Sequence, residues 1–296
     1  MTAGCGAGAP AHTVAGPGTL VALGDSMSCG EGVGVNVPLH LTWPALLAKS
    51  HALQHVSLAR PGARARDVLA ERVALVGQPR LVTLLIGLND VLRSSDCAVG
   101  ETLTEILSVA SRPAGPGAAP TLLVLRLHDP TALLPLPRQA RAAVLRRVGL
   151  VNAALDQAAA VTGAVVLDLA GLPALQRREA WAVDRLHPSA YGHSVIAAAA
   201  AELLHRTADP SALLPPVPLP RGAASSAAAG PVPLASGPLP GGAASPAGGR
   251  RSEQDGLVVV PGRLDELVWL TRHGFPYLAV HGRRMVPGLV AGLTHR

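Results

Sequence analysis

Gly24-Asp25-Ser26-Met27-Ser28-Cys29-Gly30 follows the apolar run at residues 19–23, and the reading of the whole chain turns on this junction. An apolar strand that breaks into Gly-Asp-Ser places a hydroxyl at the carboxyl end of a strand. In open parallel α/β sheets that edge is where ligands bind. A serine there is a weak nucleophile until a base takes its proton. The rest of the chain is therefore to be searched for a base, a group that orients the base, and donors for an oxyanion.

Outward from this strand, four more short runs rich in Val, Leu or Ile occur at residues 54–58, 80–86, 121–127 and 164–169. Their character predicts strands buried on both faces. Between them, residues 42–53, 65–76, 100–111 and 138–161 read as helices, and Pro188-Ser189 marks the start of a last one at residues 190–206. In residues 138–161, Arg138, Arg141, Arg146 and Arg147 oppose Val144, Leu145, Val148 and Val151, an amphipathic pattern. Five strands alternating with helices predict an α/β fold with a doubly wound parallel sheet.

The domain plan follows composition. Residues 1–18 are Gly, Ala and Pro with little to bury, and are expected to be a disordered lead-in before a domain at residues 19–207. Residues 208–256 are rich in Pro, Ala, Gly and Ser and read as a flexible linker. Residues 257–296 regain apolar side chains and hold Trp269, Phe275 and Tyr277, half of the six aromatic residues. Leu264, Leu267, Val268 and Thr271 recur there at helical spacing, so a small helical extension is expected, docked on its own domain or on a partner.

The net charge is +6 and almost wholly arginine, Lys49 being the only lysine. The pI near 10.2 would attract anionic surfaces. The basic residues are scattered and not interleaved with aromatics, which argues against nucleic-acid binding. No apolar run is long enough to span a bilayer, and no basic start precedes an apolar segment as in a secretory signal. The cysteines, Cys5, Cys29 and Cys97, are odd in number and lack metal-type spacing, so a reduced, cytoplasmic protein is the expectation.

The reactive residue types fall in the loops after the strands. Ser26 follows the first strand, Arg60-Pro61-Gly62-Ala63 the second and Gly87-Leu88-Asn89-Asp90 the third; the fifth leads on to Asp184-Arg185-Leu186-His187. A serine nucleophile needs a neutral imidazole in reach, and the imidazole needs a carboxylate on its other nitrogen. Asp184 and His187 present both from one short turn. The amides of Ser26 and Gly62 and the side chain of Asn89 are candidate oxyanion donors. Met27, Leu88, Val91 and Leu186 are candidates for an acyl pocket, or else core. Arg60 and Arg185 flank the site and could attract an acidic substrate. Each residue also has a plainer reading. Ser26 suits a helix N-cap; Asn89-Asp90 and Pro61-Gly62 suit turns; His193 suits a helix start and His128 a loop. Cys29 lacks a base of its own, and a metal site of Asp184, His187 and His193 would leave the serine unused.

Gly24-Asp25-Ser26, Gly62, Gly87-x-Asn89-Asp90 and Asp184-x-x-His187 together resemble the four blocks of the SGNH hydrolases, the GDSL-type esterases and lipases. The resemblance spans residues 19–207 in the family's block order, with Met27 where the family's name has leucine. It implies a flavodoxin-like three-layer α/β/α sandwich with strand order 2-1-3-4-5. It also implies Ser26 as nucleophile, His187 as base, Asp184 as its orienter, and the Ser26 and Gly62 amides with the Asn89 side chain as oxyanion hole. The tail, with Trp269, His273 and Pro276 before an Arg pair at 283–284, resembles the C-terminal extension of actinobacterial members. The α/β-hydrolase elbow, Gly-x-Ser-x-Gly, is not met, since position 28 is serine. The expected reaction is hydrolysis of a small carboxylic ester or thioester through an acyl-serine, with no metal and no organic cofactor. A catalytically silent binding module and an acyltransferase to another alcohol are the alternatives.

Overall fold

All five strands form, and all pair in parallel. The computed structural model describes residues 16, 18–32, 34–71, 78–94, 99–112, 118–134, 136–207 and 262–276. The lead-in, but for residues 16 and 18, the whole linker at 208–256, Cys5, Cys97 and Tyr277 lie outside the described residues.

The strands are β1 (Thr19–Gly24), β2 (Gln54–Ser57), β3 (Leu81–Leu85), β4 (Thr121–Arg126) and β5 (Val165–Asp168). Their spatial order is β2-β1-β3-β4-β5, the expected 2-1-3-4-5. Register runs from Thr19 opposite Gln54 and Leu20 opposite Leu81 to Val82 opposite Leu122 and Leu123 opposite Val165. β1 and β3 are buried at every position, as central strands covered on both faces should be. β2 and β5 are the sheet's edges and stay partly open, which departs from the expectation of strands buried throughout.

The helices are α1 (Ser26–Cys29), α2 (Trp43–Ser50), α3 (Ala65–Glu71), α4 (Leu88–Arg93), α5 (Gly100–Ala110), α6 (Arg138–Thr162), α7 (Ala190–Thr207) and α8 (Arg263–Trp269). α2 packs on α7, while α3 and α6 both pack on α5 and α4 packs on α6. The core between these layers and the sheet is built on Leu20, Leu23, Trp43, Leu84, Ile106 and Leu123. Ser189 starts α7 as expected: its hydroxyl accepts the Gly192 amide at 3.1 Å and its carbonyl accepts the His193 amide.

Three local features differ from the sequence reading. Residues 88–93, expected as loop, are a helix. Arg147, read as part of a polar face, is buried: its guanidinium donates to the carbonyls of Val91 at 2.8 Å, Ser94 at 2.6 Å and Asp90 at 3.3 Å. Those carbonyls cluster at the C-terminal end of α4, where helix carbonyls run out of intrahelical donors; that of Asp90 also accepts the Ser94 amide at 3.1 Å. His193 is also fully buried; its Nδ1 accepts the Trp43 amide at 3.1 Å, and burial pushes its pKa down to about 3. It is a neutral cap for α2 supplied from 150 residues away. Among the described residues no helix is long and apolar enough to cross a membrane.

Candidate active site

The hydroxyl of Ser26 is available because Asp25 does the capping. Asp25 is the N-cap of α1, its Oδ1 accepting the Met27 amide at 3.0 Å, so the capping alternative for Ser26 does not hold. The turn that presents Ser26 requires Gly24, whose φ is +147°. A Cβ there would stand 2.4 Å from the Leu85 carbonyl oxygen and 2.7 Å from Ser28 Oγ. Ser26 Oγ and His187 Nε2 lie 2.8 Å apart, and His187 Nδ1 lies 2.6 Å from Asp184 Oδ2. Three side chains separated by up to 161 residues thus form one continuous chain of hydrogen bonds.

The loop that carries Asp184 and His187 is tied down on every side. An antiparallel bridge joins Trp181 to Pro188, and the Ala182 amide donates to the His187 carbonyl at 2.8 Å. Arg185 turns the loop with φ +60°. The amides of Leu186 and His187 both donate to Asp184 Oδ1 at 3.0 Å, leaving Oδ2 for the imidazole. Trp181 anchors the loop's base, its Nε1 donating to the Leu175 carbonyl and its ring stacking on His128 at 4.3 Å. Groups fixed in this way lose little further freedom on reaching a reactive geometry.

The electrostatics suit a base with its orienter. Burial alone would raise the Asp184 pKa, but the hydrogen bond and charge of His187, with two backbone amides, hold it below the usual carboxylate value. Burial alone would lower His187; the hydrogen bond and charge of Asp184, and then the charge of Asp25, raise it instead. Asp184 therefore stays ionised while His187 titrates above its ordinary range.

The three candidate oxyanion donors border the same cleft as Ser26 and His187. Neither the Ser26 amide nor the Gly62 amide donates to another described residue. α4 fixes the geometry of this side: Arg93 Nη1 donates to the Gly62 carbonyl at 2.9 Å, and Asp90 Oδ2 accepts the Ala65 amide at 3.1 Å. Asn89 Nδ2 donates one hydrogen to Asp25 Oδ2 at 3.2 Å, which leaves its second for a ligand. Asp25 stands inside the first block, and its role is not legible in the sequence. It braces both the start of α1 and the Asn89 amide. Burial pushes the Asp25 pKa up to about 6, against the opposing pull of the Met27 amide, His187 and Asn89. Burial likewise pushes Asp90 up to about 6.

Of the four acyl-pocket candidates, Leu88 and Leu186 line the cleft. Met27 and Val91 do not: at 0% and 1% exposure they belong to the core, and α4, which carries Val91, packs on α6. Cys29 is buried beneath Ser26. Arg60 pairs with Glu71 at 2.7 Å and Arg185 pairs with Glu266, and neither arginine is among the residues that line the Ser26 cleft. Among the described residues no group of three His, Cys, Asp or Glu could hold a metal ion.

Residues 22–195 match the sequence profile of the GDSL-like Lipase/Acylhydrolase family. The chain belongs to this family. The solved structures agree on the fold of this GDSL-like acylhydrolase. The psychrotrophic esterase EstA from Pseudoalteromonas is 18% identical, with 64% of this chain and 97% of that one covered at a TM-score of 0.50. A lipolytic G-D-S-L family protein from Veillonella parvula is 20% identical, covering 64% and 98% at a TM-score of 0.50. No curated protein matches the sequence. Membership makes this GDSL-like acylhydrolase an ester-cleaving serine hydrolase.

Proposed function

We propose that the chain hydrolyses a small carboxylic ester, or a thioester, through an acyl intermediate on Ser26. The observation that carries this reading is the unbroken relay from Ser26 Oγ to His187 Nε2 at 2.8 Å and from His187 Nδ1 to Asp184 at 2.6 Å. His187 takes the Ser26 proton as the oxygen attacks the acyl carbon, then delivers that proton to the leaving alcohol or thiol. Water enters, His187 deprotonates it, and the acyl-serine is hydrolysed. Asp184 holds the Nδ1 proton and stabilises the imidazolium formed at each step. The Ser26 and Gly62 amides and Asn89 Nδ2 stabilise the oxyanion, and Leu88 and Leu186 contact the acyl group. The proposed ligand is a small ester, not a nucleic acid. A cytoplasmic location belongs to the same proposal, supported by an odd cysteine count with Cys29 in the core. Docking of the C-terminal segment on its own domain is supported by the hydrogen bonds of Glu266 to Arg178 and Arg185.

The test is fluorophosphonate labelling of the wild type and of His187→Ala, with the modified residue located by mass spectrometry. Labelling at Ser26 that is lost in the variant is the expected result. A folded wild type that stays unlabelled would instead favour a silent binding module. Asn89→Ala should lower kcat by about 10²–10³ with little change in KM, since it removes a donor that acts on the developing charge. Steady-state kinetics check this, and an effect confined to KM would remove Asn89 from the oxyanion hole.

A further inference from the structure

No chemistry is legible in the sequence of the C-terminal segment, yet Arg272, His273 and Pro276 line the cleft of Ser26. Glu266, on α8, is held by two arginines from the region that carries His187 and Asp184. Arg178 Nη2 reaches Glu266 Oε1 at 3.0 Å, and Arg185 pairs with Oε2. Both guanidiniums are themselves anchored. Arg178 Nη1 donates to the carbonyls of Trp181 at 2.7 Å and Ala182 at 2.9 Å, and Arg185 Nη1 to that of Leu133 at 3.0 Å. A lone surface pair contributes little; a network whose arginines are fixed to backbone is the exception to that rule. Arg185, and then Arg178, keep the Glu266 carboxyl below the usual glutamate value.

α8 continues into a wider π-helical turn, Leu270–Gly274. That turn brings the His273 ring onto Gly34, where a Cβ would lie 2.5 Å from His273 Cγ. Gly34 lies at the tip of a short hairpin in which Glu31–Gly32 pairs with Val35–Asn36. Gly32, on the same hairpin, lies against the relay: a Cβ there would be 2.5 Å from His187 Nδ1 and 2.9 Å from Asp184 Oδ2. The hairpin is thus the layer between the relay and the C-terminal segment. Arg272, His273 and Pro276 line the cleft of about 460 Å³ together with Ser26 and His187.

We propose that residues 262–276 form a specificity-determining wall of the Ser26 cleft, with Glu266 as its positioning residue, and that this wall confines turnover to esters with short acyl chains. The inference rests on the assignment of Ser26 above. Pro61, Leu88 and Leu92 bound the cleft from the domain, and Arg272, His273 and Pro276 bound it from the segment. In this arrangement a short acyl chain stays against the apolar side of the cleft, and a longer one is brought against the Arg272 guanidinium and the His273 ring, stripping water from polar groups without replacing their hydrogen bonds.

The experiment compares kcat/KM for p-nitrophenyl acetate and p-nitrophenyl decanoate in the full-length wild type, Glu266→Ala and Arg272→Ala. The wild type should favour acetate. Both variants should raise the decanoate-to-acetate ratio by about tenfold or more, the equivalent of roughly two buried methylene groups. The change should fall in KM for decanoate. A merely structural role for Glu266 would lower both substrates alike and leave the ratio fixed; that result, or a wild type that prefers decanoate, overturns the wall. Arg272→Ala leaves the Glu266 network in place and so reads the wall even where Glu266→Ala unfolds. Hydrogen exchange supplies a readout free of turnover: amides at 262–276 should be protected in the wild type and released in Glu266→Ala. Exchange at free-peptide rates in the wild type overturns the wall whatever the activity. Protected amides with Ser26 inert to fluorophosphonate would overturn the serine assignment, and the specificity claim with it.

Discussion

Ser26→Ala should lower kcat by about 10⁶-fold while leaving the protein folded, the loss seen when a serine nucleophile is removed from a triad that works as a unit. The structure separates the chemical effect from a structural one. Asp25, not Ser26, caps α1, and the Met27 amide keeps its partner when Oγ is deleted. Among the described residues the only hydrogen bond of Oγ is to His187, in the cleft. The melting temperature should therefore move by no more than about 3 °C, the shift expected for roughly 1 kcal/mol in a domain of this size. Turnover of a p-nitrophenyl ester and a thermal melt on the same preparation check both halves. Retained turnover would move the chemistry to another residue. Activity lost together with the fold would leave Ser26 with a structural role that its contacts do not show.

Asp184→Asn should cost about 10⁴ in kcat, and the reason is a forced tautomer. Oδ1 of residue 184 accepts two backbone amides, from Leu186 and His187. An asparagine must keep its oxygen there, so its NH₂ faces His187 Nδ1. Nδ1 then becomes an acceptor, Nε2 carries the proton, and Ser26 has no base. The pH profile should change as well. In the wild type the Asp184 hydrogen bond and charge overcome burial and raise the His187 pKa. His187 must be neutral to act, so kcat/KM should fall as the pH drops through a value above the ordinary imidazole range. In the variant the larger raising partner is gone, only the weaker pull of Asp25 remains, and burial dominates, so the residual activity should keep its plateau to lower pH. A full pH–rate profile of both proteins checks the direction. An acid limb that stays in place would mean that His187 is not the group titrating.

Asp184 also ties activity to stability. Its folded pKa is depressed, so its contribution to stability is present above the unfolded carboxylate pKa and is lost as the pH falls through the folded value. His187, with a raised pKa, has the opposite sign: its contribution is complete below the unfolded imidazole pKa and lost as the pH rises through the folded value.

The sequence by itself determined the sheet and the identity of the residues brought together. Five apolar runs separated by helical lengths leave few arrangements other than a parallel sheet, because apolar strands must be covered on both faces. Loops at the carboxyl ends of those strands must meet on one edge, so Ser26, Gly62, Asn89, Asp184 and His187 were legible as a group before any distance was known. Tertiary structure decided everything that depends on approach between distant segments. Arg147 reads as solvated by periodicity and is buried because α4 ends beneath it. His193 reads as a helix start and caps a helix 150 residues away. Met27 and Val91 are apolar near the serine and nonetheless face the core. Asp25 braces Asn89 from 64 residues away, and Glu266 reaches the Arg185 loop across 81. Local patterns record only which side chains an element offers to its two faces. Which buried polar group meets which partner is set by the packing of whole elements, where each must find a hydrogen bond or bear the cost of desolvation.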